Sequence, residues 1–314
     1  MKRKTLLKIG TAIVAVTTAI YTFNKIIEKT ALRKHLLSSD EKMYFDWKLG
    51  RICYDVCGVG SPVLLIHDSI PCSSMHEWNK IKKDLAKEHT VFCIDLLGCG
   101  NSERPKMTYT NYVYVQLITD FIEKVIKEKT DVVTNGLSSA HALMACKNDA
   151  NIGKVIMINP KDLAVLAQNP DKISKVIKNV IQLPLIGTFI YNIIHEKKNL
   201  EMMFAEKYLY NPLDLDADMV DTYYECAHMD KGNGKYLYAS LKGKYLYMNI
   251  APSLKSISNS IHIIEGNYQK HSEEALELYK SLGKHVSYEI FSETCFLPHL
   301  ECPEAICERL IDLL

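Results

Sequence analysis

Residues 131–143 constrain the fold of this chain more than any other stretch. A β-branched run at 132–134 leads into the small-residue turn Gly136-Leu137-Ser138-Ser139-Ala140, and an alanine-rich helical pattern follows. This order predicts a strand, a tight turn and a helix that meet at Ser138. Small residues at such a turn let strand and helix approach closely, so a serine can sit there in a strained conformation with its hydroxyl exposed. Ser138 is therefore a candidate nucleophile.

The surrounding pattern predicts an α/β fold. Short apolar runs at 52–56, 63–66, 91–94, 132–134 and 155–158 read as strands, and helical patterns at 75–88 and 112–127 lie between them. Strands that alternate with helices predict a mostly parallel sheet with helices on both faces. From Pro160 to about 258 the periodicity is helical, which predicts an inserted helical cap. The alternation then resumes with a strand at 261–266, a helix at 272–282, a strand at 285–291 and a helix after Pro303.

The N-terminus predicts a membrane anchor. Residues 9–23 carry no charge and follow Lys2-Arg3-Lys4. A membrane span needs roughly 20 apolar residues, a length that this run approaches if Lys8 snorkels to the headgroups and Ile26 and Ile27 contribute. A cleaved signal peptide and an amphipathic helix are the alternatives, but no clear cleavage site follows the apolar core. Lysines flank both ends, so the orientation stays open. The domains predicted are an anchor and connector over 1–42, a core in two parts over 43–160 and 259–314, and the cap over 161–258.

Charge and cysteine content exclude several classes of function. The 38 basic and 37 acidic residues give a net charge of +1, so nothing indicates binding to nucleic acid. The ten cysteines form no C-x-x-C pair and no ligand set with histidine. We therefore expect no metal, no organic cofactor and no disulfide framework. Free thiols favour a reducing compartment, which predicts a domain that faces the cytoplasm.

With these residues placed, the chain resembles the α/β-hydrolase fold superfamily over residues 43–314. His67 matches the histidine that opens the family's His-Gly oxyanion segment. Residues 95–105 look like the family's D-x-x-G-x-G-x-S-x-x-P loop, and residues 300–304 resemble the L-E-x-P-E that starts the last helix. The resemblance implies a capped, single-domain fold, with the Ser139 N–H as an oxyanion donor.

Three positions depart from the pattern that the resemblance implies. The family's catalytic histidine falls on Phe296 and its acid on Gln269, and Asp68 stands where a glycine usually follows the histidine. A phenyl ring cannot accept a proton, and glutamine cannot stabilise an imidazolium electrostatically. A carboxylate at position 68 would repel a developing oxyanion unless it points away or is protonated.

Three hypotheses follow. The first is a membrane-tethered pseudoenzyme with a degenerate triad, which binds a small hydrophobic ligand under the cap or an unidentified protein partner. The second is a divergent serine hydrolase that acts on ester or amide bonds, with Ser138 as nucleophile, His299 as displaced base and Asp162 as displaced acid. The third is that Ser138 only packs in a tight turn.

Overall fold

The fold is built on one sheet of eight strands. The structure is a computed structural model that describes residues 2–38, 42–267 and 272–314. The strands are β1 (Met43–Trp47), β2 (Gly50–Cys57), β3 (Ser61–Ile66), β4 (His89–Ile94), β5 (Thr130–Asn135), β6 (Ile152–Ile158), β7 (Ile261–Gly266) and β8 (Val286–Phe291). Their order in the sheet is β1-β2-β4-β3-β5-β6-β7-β8. The pairs β1–β2 and β2–β4 are antiparallel and the rest are parallel, which confirms the α/β class.

Helices connect the parallel strands and fill a long insertion. They are α1 (Lys2–Ala31), α2 (Asn79–Leu85), α3 (Asn111–Phe121), α4 (Ser138–Asn148), α5 (Leu163–Leu166), α6 (Lys172–Gln182), α7 (Ile186–Ile194), α8 (Lys197–Met203), α9 (Ala217–Gly232), α10 (Gly234–Lys242), α11 (Ala251–Leu254), α12 (Ser272–Leu282), α13 (Pro298–Glu301) and α14 (Pro303–Leu313). The helix predicted at 75–88 is divided into a 3₁₀ turn, Met75–Trp78, and α2. The helix predicted at 112–127 ends in a π turn, Ile122–Ile126.

Strand β1 was absent from the predicted set. Only one of its five residues, Trp47, is buried, because the strand lies at the edge of the sheet and pairs with β2 alone. An edge strand buries few side chains, so it lacks the continuous apolar run by which the central strands were recognised.

Each face of the sheet has its own apolar core. On one face, Trp78, Ile81 and Leu85 pack with Ile306 and Leu310 of the last helix. On the other face the buried side chains come mainly from α3, α4 and the sheet itself. Both faces are covered, which is why the central strands read as continuous apolar runs.

The segment between β6 and β7, here called the helical insertion (residues 161–258), carries α5 to α11. Its apolar side chains join those that precede the last helix, since Phe204 and Tyr223 belong to the same buried cluster as Phe296 and Leu300. The cluster also includes Ala31, the last residue of α1. The insertion therefore meets both the N-terminal helix and the chain segment where the family places its histidine.

Helix α1 has an exposed part and a docked part. Its stretch Leu7–Ala31 is long and apolar enough to cross a membrane, and 6% of its most apolar part is buried against the protein. The C-terminal end packs on α7 and α9. The connector that follows is tied down by Glu225, whose carboxylate accepts the backbone N–H groups of Leu36 and Leu37 at 2.8 and 3.0 Å.

Candidate functional site

The turn after β5 has its left-handed residue at Gly136. Strand β5 ends at Asn135, α4 begins at Ser138, and Gly136 has a φ of +61°. Glycine adopts this conformation without steric cost, whereas a residue with a Cβ is strained there. The predicted strand-turn-helix is thus present, but the residue with the left-handed backbone is Gly136, two residues before Ser138, where it was expected.

Ser138 lies on the first turn of the helix and not at the apex of the turn. Its side chain is fully buried, and its hydroxyl donates to the carbonyl of Asn135 at 2.7 Å and more weakly to that of Ile66 at 3.3 Å. Such bonding to the preceding carbonyls is usual for serine in a helix. The prediction that Ser138 sits in the strained turn with an exposed hydroxyl is wrong, because the end of β5 sets the turn at Gly136.

The Asp68 carboxyl group fills the space in front of this turn. A Cβ placed on Gly136 would lie 2.5 Å from Asp68 Cγ and 2.7 Å from each carboxylate oxygen. Asp68 Oδ1 accepts the backbone N–H of Leu137 at 2.8 Å, and the side chain is 1% exposed. The carboxylate therefore points into the turn, and it accepts the hydrogen bond of the N–H group that follows the apex.

The other two residues of the predicted oxyanion region are engaged in structural bonds. The Ser139 N–H donates to the carbonyl of Gly136 at 3.3 Å, so it belongs to the start of the helix and is not a free donor. In the fully buried His67 ring, Nδ1 donates to the carbonyl of Asp68 at 2.8 Å and Nε2 accepts the N–H of Leu96 at 2.9 Å. Burial lowers the pKa of His67 to about 4, so the ring is neutral and holds the loop after β3 in place.

A second buried carboxyl group, Glu77, was not among the predicted site residues. Asn135 Nδ2 and the Tyr223 hydroxyl contact its two oxygens at 3.3 and 3.2 Å. Burial, and after it the negative charge of Asp68, raises the pKa of Glu77 to about 8, so this group is protonated at neutral pH. A glutamate beside Trp78 in an amphipathic pattern resembles any solvated helix residue. Only the packing of the 3₁₀ turn against the insertion buries it.

His299 packs against this group and does not reach Ser138. Its ring stacks on Trp78 with a centroid distance of 4.5 Å, and its Nε2 lies 4.0 Å from Glu77 Oε1. Neither ring nitrogen has a hydrogen-bond partner within the described ranges. Burial lowers the pKa of His299 to about 3, and Glu77 is protonated, so the contact joins two neutral groups and is not an ion pair.

The other predicted site residues that the structure describes, Phe296 and Asp162, make no hydrogen bond to the Ser138 hydroxyl. Phe296 is buried, stacks on Tyr208 at 5.0 Å between centroids and has Lys161 Nζ 4.4 Å over its ring. Asp162 is exposed at the start of α5. Gln269 lies outside the described residues. The set predicted for a displaced triad, Ser138 with His299 and Asp162, is therefore not assembled by hydrogen bonds.

Comparison with known proteins identifies the fold. A family profile described as "alpha/beta hydrolase fold" matches residues 62–185. The 2-hydroxymuconate semialdehyde hydrolase of Pseudomonas sp. (strain CF600) is 29% identical over 104 residues, which cover 32% of this chain and 37% of that enzyme. The chain thus matches little more than a third of the length of that curated relative.

Two solved structures extend the likeness over most of the chain. The epoxide hydrolase CorEH without ligand gives a TM-score of 0.70 at 14% identity, over 86% of this chain and 97% of that one. A membrane phospholipase A, described as a bacterial virulence factor, gives a TM-score of 0.69 at 14% identity, over 99% of this chain and 97% of that one. These likenesses show that the chain has the α/β-hydrolase fold.

Proposed function

We propose that this chain is a membrane-anchored α/β-hydrolase-fold protein without serine-hydrolase activity, which acts through its surface and not through chemistry at the turn after β5. The observation that carries the proposal is the arrangement of Gly136, Leu137 and Asp68. In this fold the nucleophile stands at the apex of the strand-to-helix turn, and the next residue donates its N–H to the oxyanion. Here the apex residue is glycine, and the N–H of Leu137 is already bonded to a carboxylate.

The surrounding groups support the same conclusion. A developing oxyanion needs free donors in a pre-arranged site, and the charge of Asp68 would oppose it. The position that corresponds to the family's histidine carries Phe296, and the nearby His299 is neutral and stacked on Trp78. Among the residues that the structure describes, Ser138 has no base within hydrogen-bond distance, and its hydroxyl is buried.

The closed site favours a role for the surface over a role for the pocket. Asp68, Ser138 and Phe296 are each at most 6% exposed. Tyr208 and Tyr223 form the wall that the insertion contributes, with ring centroids 6.4 Å apart. This aromatic wall suits a small hydrophobic ligand, but the space beside it is occupied by the chain's own side chains. We therefore place the ligand-binding hypothesis second to a partner-holding role at the membrane.

Membrane attachment through α1 is the second part of the proposal. Its apolar stretch stands free of the protein, and exposed apolar side chains such as Ile13, Val14 and Val16 need a non-aqueous environment. Ten free thiols suit a domain in a reducing compartment, so we place the domain on the cytoplasmic side.

Fluorophosphonate labelling of the full chain in detergent tests the absence of a nucleophile. We expect no labelling of the wild type, under conditions in which an active serine hydrolase reacts completely. Labelling of the wild type that disappears in Ser138→Ala would overturn the proposal.

A rebuilt variant tests the position of the apex. Asp68→Gly, Gly136→Ser and Phe296→His together restore a hydroxyl, a free N–H and an imidazole at the positions that the fold assigns to them. We expect this triple variant to gain labelling, and the labelling to survive a further Ser138→Ala substitution. Dependence of the gained labelling on Ser138 would place the apex where the sequence first suggested.

A further inference from the structure

Helices α6 and α7 present an apolar surface to solvent, here called the hairpin face. Its side chains are between 38% and 73% exposed: Ile173, Val176, Ile177, Val180, Leu183, Ile186, Ile193 and Ile194. Single exposed apolar residues are ordinary, but eight of them on two consecutive helices and the turn between them, at which the helix axis bends by 101°, indicate an interaction surface.

On α6 the apolar stripe is not the side that packs on the protein. Ser174 and Ile181 are buried, and Lys178 points the same way, with its Nζ bonded to Thr108 Oγ1 at 3.1 Å. At ~100° per residue, these positions lie roughly a third of a turn away from the exposed stripe formed by Ile173, Val176, Ile177 and Val180. A helix on a soluble protein turns its apolar stripe toward the core. The stripe of α6 therefore faces a medium other than the core.

Helix α1 is attached to the same hairpin. The rings of Phe23 and Phe189 meet edge to face at 5.1 Å. Asn24 Nδ2 donates to the carbonyl of Leu185 at 3.2 Å, and Asn192 Nδ2 donates to Asn24 Oδ1 at 2.9 Å. The one polar side chain at the end of the uncharged stretch 9–23 is thus satisfied by the hairpin. These contacts hold α7 beside Phe23 and Asn24, where the apolar stretch of α1 ends.

We propose that the hairpin face lies in the boundary between headgroups and acyl chains of a lipid bilayer, as a second membrane contact beside the anchor. This inference rests on the membrane attachment proposed for α1. A bilayer is favoured as the occupant because α1, which carries exposed apolar side chains of its own, packs on α7 through Phe23 and Phe189 and so brings the hairpin face next to the membrane that α1 enters. Lys172 is exposed at the edge of the α6 stripe, and Lys175 is exposed on the polar side of the same helix, from which a long side chain reaches toward lipid phosphates.

The consequence is a fixed orientation of the domain. A single spanning helix with a flexible connector leaves a domain free to rotate above the membrane. Here Leu36 and Leu37 are bonded to Glu225, and α6 adds an interfacial contact beyond the point where α1 packs on α7. The same side of the helical insertion therefore always faces the lipid.

Tryptophan fluorescence of the full chain in vesicles of phosphatidylcholine and phosphatidylglycerol tests the proposal. The native tryptophans, Trp47 and Trp78, are buried and give a constant background. A Val176→Trp variant places a reporter on the hairpin face, and Leu213→Trp places one at a site that is 91% exposed outside it. We expect blue-shifted emission at position 176, quenched by lipids that carry a doxyl group near the headgroup, and water-like emission at position 213.

Three other outcomes overturn the proposal and are distinguishable from one another. Vesicles that retain the protein against carbonate, together with unquenched emission at position 176, leave the anchor standing and remove the hairpin contact. Protein released by carbonate refutes the anchor and the hairpin contact together. If the tryptophan at position 176 is not quenched, and the protein forms a dimer that Val176→Glu dissociates, the hairpin face binds a second copy of the chain. In a Lys172→Glu, Lys175→Glu variant, quenching of the tryptophan at position 176 should fall as the fraction of phosphatidylglycerol in the vesicles rises. Unchanged quenching would exclude a role for the two lysines in lipid binding.

Discussion

The Asp68 carboxyl group occupies the position that any side chain at residue 136 would need. The distance from Asp68 Cγ to a Cβ built on Gly136 is 2.5 Å, well inside van der Waals contact. The same carboxylate holds the N–H of Leu137, so the two residues form one interlocked turn. A change at either residue therefore has to be matched by a change at the other, and this coupling can be measured.

Gly136→Ala should destabilise the protein by about 3 kcal/mol or more, since it adds a clash with Asp68 to the strain of a left-handed backbone. Gly232→Ala is the matched control. Its φ is +73° but its nearest neighbour lies at 3.4 Å, so it carries the strain alone, roughly 1–2 kcal/mol. Denaturant unfolding gives both values. In an Asp68→Gly background, the cost of Gly136→Ala should fall to that of the control, and equal costs with and without Asp68 would refute the coupling.

Glu77 should make the folded state less stable as the pH rises from 6.5 to 8. Its folded pKa, raised by burial to about 8, lies above the unfolded value, so the folded state binds more protons in this window and stability is lost with rising pH. The free energy of unfolding should fall by about 1 kcal/mol per pH unit for each such group. Glu77→Gln should flatten it, whereas the exposed Glu128→Gln should not.

Glu265 and the buried histidines also contribute to the pH dependence of the unfolding free energy. Burial also raises the pKa of Glu265 to about 8, so a residual slope should remain in Glu77→Gln and disappear when Glu265→Gln is added. The buried histidines have lowered pKa values, for example about 4 for His141 and about 3 for His195. Their stability effect falls below pH 6.5, where it has the opposite sign, because the unfolded state binds the extra protons. A slope unchanged by both glutamine variants would show that neither carboxyl is protonated in the fold.

His299→Phe should leave the stability unchanged or raise it. Phenylalanine keeps the stack on Trp78 and removes two buried nitrogens without hydrogen-bond partners within the described ranges. His299→Ala should cost about 2–4 kcal/mol, because it leaves a cavity beside Trp78. Thermal unfolding distinguishes the two variants. A large loss in His299→Phe would show that the imidazole makes an essential polar contact.

Asn24→Leu should loosen the junction between α1 and the hairpin. The substitution leaves the amide of Asn192 and the carbonyl of Leu185 without their partner, at a cost of about 1–3 kcal/mol. Hydrogen exchange of the α7 amides should accelerate, whereas Thr17→Ala on the exposed part of α1 should leave it unchanged. Equal exchange in both variants would mean that the polar junction does not hold the hairpin.

Most of the fold could be predicted from the chain because its central strands are buried on both faces. Continuous apolar runs marked β3, β4, β5 and β6, and the helix predicted at 272–282 has the bounds of α12. The exceptions have a common cause, which is that their local pattern was weak. Strand β1 is an edge strand with one buried residue. The helix predicted at 75–88 begins with a 3₁₀ turn and the helix predicted at 112–127 ends in a π turn, which side-chain periodicity does not distinguish from α-helix.

The candidate site was predicted less well, and the error concerns register. Counting from Gly136 as the first small residue of the motif put the apex on Ser138. Pairing of β5 with β6, in which Asn135 is the partner of Ile158, ends the strand one residue before Gly136. The glycine itself was a signal, since a turn that requires positive φ favours glycine at its apex. Asp68 departs from the family's pattern, but its contact with a residue 68 positions away is not visible in the local pattern of either segment.

The amino-acid sequence by itself determined the α/β class, the strand-turn-helix at 131–143, the helical insertion and the apolar N-terminal stretch, because each depends on local periodicity and composition. Only the tertiary structure decided that Gly136 is the apex of the turn, that Asp68 fills the space before it, and that Glu77 and His299 are buried as neutral partners. These are contacts between residues distant in the chain. Burial and steric exclusion, which set them, exist only once the sheet and the insertion have packed together.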